Sequence, residues 1–164
     1  MVLTTTTTIT KNKGESMRGE MQDSAAILYK SIILDHSANP RNFRTLEQFD
    51  AVATRNNLLC GDEITLYCAI QDDILKNVTF SGTGCAIMKA SASLMTEFLR
   101  GKTRQSALSL ASTLTAFLHG DDSVVLDNSL RSLAGVRGFP ARIKCALLPF
   151  QALHNALASD HVDS

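Results

Sequence analysis

The sequence predicts an α+β domain, a three-stranded antiparallel sheet with helices packed mainly on one face. Three observations predict it. Residues 63–70 alternate, with Ile64, Leu66, Cys68 and Ile70 on one side and Thr65, Tyr67 and Ala69 on the other, the period-two signature of a half-buried strand. Asp72-Asp73 reads as a turn, with 74–81 as the return strand of a hairpin. From Cys85 onward, apolar residues recur at helical spacing between recognisable caps and stops. Consecutive strands followed by helices place those helices on one face of an antiparallel sheet.

The elements follow in order. Ser24 reads as the N-cap of a first helix whose face is Ile27, Leu28, Ser31 and Ile32, and Asn39-Pro40 ends it. Residues 49–53 form a short strand ahead of the alternating one. Residues 85–100 carry Ile87, Ala90, Ser91, Leu94 and Phe98 on a helical face, with Gly101 as terminator. Thr103 caps the next helix, with Ala107, Leu110, Ala111, Leu114 and Phe117 inward and Gly120 after its end. Residues 121–138 form a loop with a helical piece near 128–133. A last helix starts at Pro140, a residue suited to the first helical position, and runs to about Ala158.

A chain of 164 residues fits one domain with a tail. Residues 1–22, with a threonine run at 4–8, read as a disordered tail, 23–158 as the domain and 159–164 as a frayed terminus. Met17 and Met21 leave open a later translation start, and a transit peptide is the weaker reading because Glu15 and Glu20 interrupt the basic character. Sixteen basic residues balance sixteen acidic ones, which argues against nucleic acid or an anionic membrane as partner, since both select basic surfaces. No apolar run approaches the ~20 residues needed to cross a bilayer. The expectation is a cytoplasmic protein in which four cysteines serve as thiols or ligands rather than as a disulfide framework.

Three of those cysteines sit in unlike settings: Cys60-Gly61-Asp62, Gly82-Thr83-Gly84-Cys85, and Arg142-Ile143-Lys144-Cys145. Their spacings of 25 and 60 residues match no zinc-finger ladder. Gly61 allows a tight turn, so the Cys60 thiol and Asp62 carboxylate can converge on a divalent ion. Cys85 opens a helix, where free N–H groups and the dipole favour a thiolate. Cys145 lies off the apolar stripe of Ile143, Leu147, Phe150 and Leu157, a position suited to a site, and Arg142 and Lys144 add positive charge that favours thiolate. Each cysteine viewed alone also reads as a small buried hydrophobe, as Cys68 does beside Ile64 and Leu66. The four histidines, His36, His119, His154 and His161, read as capping or surface residues. Pro149 falls inside the last helix and removes a hydrogen bond to the Cys145 carbonyl; whether it is merely tolerated or shapes the site stays open.

Together the three cysteine settings resemble the IscU/SufU-like family of iron–sulfur cluster assembly proteins, the family of the NifU N-terminal domain. The resemblance spans most of 25–158. It includes Leu28-Tyr29-Lys30, Asp35-His36, Asn39-Pro40-Arg41-Asn42, Cys60-Gly61-Asp62, Ser81-Gly82-Thr83-Gly84-Cys85, Ala90-Ser91-Ala92-Ser93 and Phe139-Pro140-Ala141-Arg142-Ile143-Lys144-Cys145. Two features point to the SufU branch. IscU-type scaffolds carry a histidine just before the third cysteine, where this chain has Lys144, and a protonated lysine has no lone pair for a metal. That branch also has a longer segment between its second and third cysteines, which 121–138 supplies. Two departures stand out: Asn57-Leu58-Leu59 where the family often has a proline before the first cysteine, and Pro149.

In that branch the resemblance implies a zinc ion held by Cys60, Asp62, Cys85 and Cys145, a closed four-coordinate set that chemistry alone calls structural. It implies a zinc-dependent sulfurtransferase in which a SufS-like, pyridoxal-phosphate-dependent cysteine desulfurase passes persulfide sulfur to Cys60, with Arg142 and Lys144 supporting. A downstream cluster scaffold or carrier is a further implied partner. The alternative is a scaffold holding iron or a [2Fe–2S] cluster on the same ligands. A third reading is a small zinc-stabilised interaction domain.

Overall fold

The computed structural model describes residues 13–159, with side chains from residue 24. Helix α1 (Lys13–Ala38) leads into strands β1 (Ala51–Asn57), β2 (Asp62–Gln71) and β3 (Ile74–Thr83). Helices α2 (Ala86–Leu99), α3 (Arg104–Leu118), α4 (Asn128–Arg131) and α5 (Pro140–Ala158) follow, with a 3-10 turn at Ser132–Val136.

The strands form one antiparallel sheet in the order β1-β2-β3. Asp72 and Asp73 take left-handed φ values of 52° and 60°, the backbone a two-residue hairpin turn needs to match the twist of its strands. In the register, Ala51 faces Cys68, Leu66 faces Phe80 and Cys68 faces Val78, and all of these are buried on one face. Helices α2 and α5 pack on that face, α1 lies against α2, and α3 lies against α5. Thr103 caps α3 by accepting the Ser106 N–H, and Pro140 opens α5. The α+β architecture is the one the alternation and the helical spacing predict.

This sheet positions the site. Side chains at 62, 64, 66 and 68 share one side of β2, so the row that buries Ile64, Leu66 and Cys68 also delivers Asp62 to the core face. Asp62 is 1% exposed. A carboxylate so placed at the end of a hydrophobic row has to be met by donors or a cation.

Three expectations need correction. Helix α1 begins at Lys13, so Ser24 is an interior residue rather than its N-cap, and residues 13–22 of the expected tail are helical. Residues 1–12 and 160–164 lie outside the described residues, and with them the rest of the tail, the end of the frayed terminus and His161. The packed side of α1 is also rotated from the expected one. Ile27 and Leu28 are exposed, while Ile32 and Ile33 pack against the core and His36 is buried. Strand β1 starts at Ala51 and runs to Asn57, further than its polar sequence suggests, because its pairing with β2 continues from Cys68 to Asp62.

His36 is a structural latch rather than a surface cap. Its Nδ1 lies 2.7 Å from Ser93 Oγ, which also accepts the Arg41 N–H at 2.8 Å. The Ser93 hydroxyl can then donate to a neutral ring, leaving Nε2 turned toward Glu97 at 3.9 Å. Asn42 reaches Thr96 at 3.1 Å, and Arg41 pairs with Asp35 at 2.6 Å. The Asp35-to-Asn42 motif thus ties the end of α1 to α2 and lays residue 43 beside Phe80 of β3. Helix α5 runs unbroken through the buried Pro149.

Candidate metal centre

Three segments converge at the β2 end of the sheet. The first is the turn after β1. The Asn57 carbonyl accepts the N–H groups of Cys60 (3.3 Å) and Gly61 (2.9 Å), and its side-chain oxygen accepts that of Leu59 (3.1 Å). Gly61 takes φ +69°, a left-handed step that a residue with a Cβ makes at a cost, and Asp62 then enters the strand. Cys60 is exposed on this turn.

The second segment is Gly82-Thr83-Gly84-Cys85, joining β3 to α2. A Cβ on Gly84 would lie 2.4 Å from the Met88 methyl and 2.9 Å from Asp62 Oδ1. The bare α-carbon is what lets the carboxylate come this close. Asp62 Oδ1 then accepts the Cys85 N–H at 2.9 Å. Cys85 is the N-cap of α2, its Sγ accepting the Met88 N–H at 3.4 Å, so the sulfur stands at the helix N-terminus as the sequence predicts. The third segment is α5, which presents Cys145 from its second turn.

Cys60 Sγ lies 3.2 Å from Asp62 Oδ2 and 3.2 Å from Cys145 Sγ. The donor atoms of Cys60, Asp62 and Cys145 all lie within 4.8 Å of one another. Cys85 Sγ approaches Asp62 Oδ2 at 3.5 Å and stands beside this trio rather than within it. The structure therefore brings all four sequence-predicted donors to one place, three of them tightly.

Burial raises the proton affinity of Asp62, but the Cys85 N–H and the thiols of Cys60, Cys145 and Cys85 outweigh it and hold the carboxyl below its ordinary range. Cys145 moves the opposite way. Burial first, then Cys60, Asp62 and Cys85, push its thiol far above the usual range. Arg142 and Lys144 are not among these influences. Both cations are exposed, and Arg142 stacks over the Phe139 ring at 4.8 Å. A buried thiolate beside a carboxylate and two further thiols needs a cation in their midst. Thiols and one carboxylate at these separations fit a soft or borderline divalent ion such as zinc.

An open hollow of about 480 Å³ lies over the centre, walled by Leu59, Ile87, Ala141 and Arg142 beside the cysteines. Its surroundings are apolar and open: Leu58 is 93% exposed, Leu59 77% and Phe139 52%. Among the described histidines, His36 is buried in its latch and His119 turns Nδ1 to the Thr115 carbonyl at 2.7 Å. His119 caps α3, as expected. Sequence reasoning missed Asn57 as the anchor of the Cys60 turn and Gly84 as the seat of the carboxylate. The signal for Asn57 was its residue type, since asparagine commonly accepts backbone N–H groups in turns.

The chain matches the NifU-like N-terminal domain over residues 28–158. It is 41% identical over 136 residues to the zinc-dependent sulfurtransferase SufU of Bacillus subtilis (strain 168), covering 81% of this chain and 91% of that one. It is 36% identical over 132 residues to the iron–sulfur cluster assembly scaffold protein IscU of Streptococcus pyogenes serotype M1, covering 79% and 82%. Among solved structures, the SufU-type iron–sulfur cluster assembly scaffold protein of Fervidobacterium islandicum AW-1 superposes with a TM-score of 0.70 at 35% identity, covering 77% of this chain and 93% of that one. The family match over residues 28–158 and identities of this size over most of the chain lead to one conclusion: the chain belongs to the NifU-like N-terminal domain family.

Proposed function

We propose that this protein is a zinc-dependent sulfur acceptor of the SufU type, taking persulfide sulfur from a cysteine desulfurase during iron–sulfur cluster assembly. The observation that carries the reading is the placement of Cys60. It is an exposed residue whose sulfur lies 3.2 Å from both the Asp62 carboxylate and the Cys145 sulfur, two groups that belong to buried residues. Zinc, when bound, supplies charge that keeps the thiols deprotonated at neutral pH.

The chain's own residues divide the work. Asp62 and Cys145, buried in β2 and α5, would hold the metal, and Cys85 at the N-terminus of α2 would add a donor. Cys60 is the acceptor. Its thiolate attacks the outer sulfur of the desulfurase persulfide, the S–S bond of that persulfide breaks, and the desulfurase cysteine leaves as thiolate. Exposed Leu58, Leu59 and Phe139 give the partner an apolar surface next to that sulfur. Lys144 is exposed and as a cation offers no lone pair, which favours the three-cysteine, one-aspartate donor set. The SufU name of the Bacillus relative agrees with this reading.

The test is desulfurase turnover with and without the protein, on a preparation of known zinc content. The expected result is strong stimulation at about one zinc per chain, lost in Cys60→Ala. No stimulation, with a coloured cluster forming on anaerobic addition of iron and sulfide, transfers the assignment to a cluster scaffold.

A further inference from the structure

The same centre holds a second chemistry. The sulfurs of Cys60 and Cys145 lie 3.2 Å apart, and the two residues differ in access: Cys60 is exposed, whereas Cys145 is 5% exposed. A disulfide requires a sulfur–sulfur distance near 2.05 Å, so these atoms need to close by only about 1.2 Å. The turn carrying Cys60 is uncrowded at Gly61, where nothing beyond the adjoining residues lies within 4 Å of the position a side chain would take. Cys85 is placed differently. Its sulfur serves as the α2 cap and lies outside the close trio. Cys68 is fully buried under the sheet.

We propose that Cys60 and Cys145 form a peroxide-sensitive dithiol, in which Cys60 is the residue oxidised and Cys145 the residue that resolves it into an intrachain disulfide. The steps balance. Cys60 gives up its proton, its thiolate attacks hydrogen peroxide, the O–O bond breaks, and the released hydroxide takes up that proton, leaving sulfenic acid and one water. Cys145 then passes its proton to the departing hydroxyl as its sulfur attacks the Cys60 sulfur, the S–O bond breaks, the disulfide forms and a second water leaves. Two thiols lose two electrons in total and one peroxide is reduced. The disulfide removes two thiolate donors at once, so the oxidised centre releases zinc. The dithiol rests on the sulfur geometry alone; its meaning as an off-switch for sulfur transfer rests on the proposed function.

The experiment treats metal-free and zinc-loaded protein with one equivalent of hydrogen peroxide, after desulfurase stimulation has been recorded on the same preparation. The expected result is loss of half of the chain's four thiols, a Cys60–Cys145 linked peptide on mapping, and recovery of all thiols with dithiothreitol. Zinc-loaded protein releases its metal to a chromogenic chelator in step with the disulfide. A link to Cys85, disulfides only between chains, or Cys60 recovered as sulfinic acid with Cys145 still open to alkylation overturns the proposal. Disulfide formation in a preparation that never stimulated the desulfurase leaves the dithiol standing and removes the proposed function instead. Peptide mapping of the unaltered chain makes the test independent of whether cysteine variants fold.

Discussion

Asp62 and Cys85 are joined through the backbone as well as across the candidate metal centre: Asp62 Oδ1 accepts the Cys85 N–H at 2.9 Å while Oδ2 faces the sulfurs of Cys60 and Cys85. One carboxylate thus fixes the start of α2 with one oxygen and contributes a donor with the other. Any change that moves it disturbs both.

Gly84 is the point where that coupling is most exposed to mutation. In Gly84→Ala the new methyl meets Asp62 Oδ1 and the Met88 side chain, an overpacking that costs roughly 1–3 kcal/mol. The expected outcome is a lower denaturation midpoint together with zinc affinity reduced about tenfold or more, the scale on which displaced ligand support acts. Gly135→Ala, where nothing lies within 4 Å of the added methyl, leaves zinc affinity unchanged. Denaturant titration and chelator competition on both variants decide it.

Zinc binding should stabilise the fold by mass action. Ligand at a thousandfold excess over its dissociation constant adds about 4 kcal/mol, which for a chain of this size moves the thermal midpoint by roughly 2–4 °C per kcal/mol. Removing metal with a chelator should reverse the shift, and Cys145→Ser should shrink it. A midpoint indifferent to zinc in calorimetry would count against a metal centre.

The His36 latch sets a pH dependence. Burial, then Arg41, depress its pKa below the ordinary 6.5, against the opposing pull of Glu97 and Asp35. A depressed histidine pKa means the unfolded chain takes up a proton first as pH falls. Stability should therefore decline on acidification through the window beginning near 6.5 and flatten once the folded-state pKa is passed. His36→Gln should lose about 1 kcal/mol at pH 7.5 from the altered Ser93 hydrogen bond. The gap between variant and parent should narrow at pH 5.5, read from urea midpoints at the two values.

Leu58 and Leu59 should matter to the partner and not to the fold. At 93% and 77% exposure they contribute little to packing, so Leu58→Ser with Leu59→Ser should stay within about 0.5 kcal/mol of the parent per site. Zinc content should be unchanged. The concentration giving half-maximal desulfurase stimulation should rise, measured by titration against a fixed amount of desulfurase.

The elements that were legible in the sequence are those with local signals. Thr103 and Pro140 announced α3 and α5, Asp72-Asp73 announced the hairpin, and the alternation from Ile64 to Cys68 gave the buried face of β2. The start of α1 was not legible, because its first residues lack the apolar periodicity that marks a packed helix. The face of α1 was misjudged for a related reason. Ile27 and Leu28 are as apolar as Ile32 and Ile33, and only the position of α2 selects which pair is covered. At the site, the four donors were marked by their residue types and neighbours. The direction of the Cys145 shift was not, since it depends first on burial and then on Cys60 and Asp62, 85 and 83 residues away in sequence.

The turn held by Asn57 has a mechanical consequence. Cys60 rides on a flap whose two ends are stiff, one paired in β1 and the other entering β2 at Asp62, with open space around Gly61 between them. Such a flap can travel while Asp62 and Cys145, seated in strand and helix, stay where they are. Motion of Cys60 on this turn would leave the seats of Asp62 and Cys145 in place. A fluorophore attached at position 58 would report the approach of a partner without registering any change in the core.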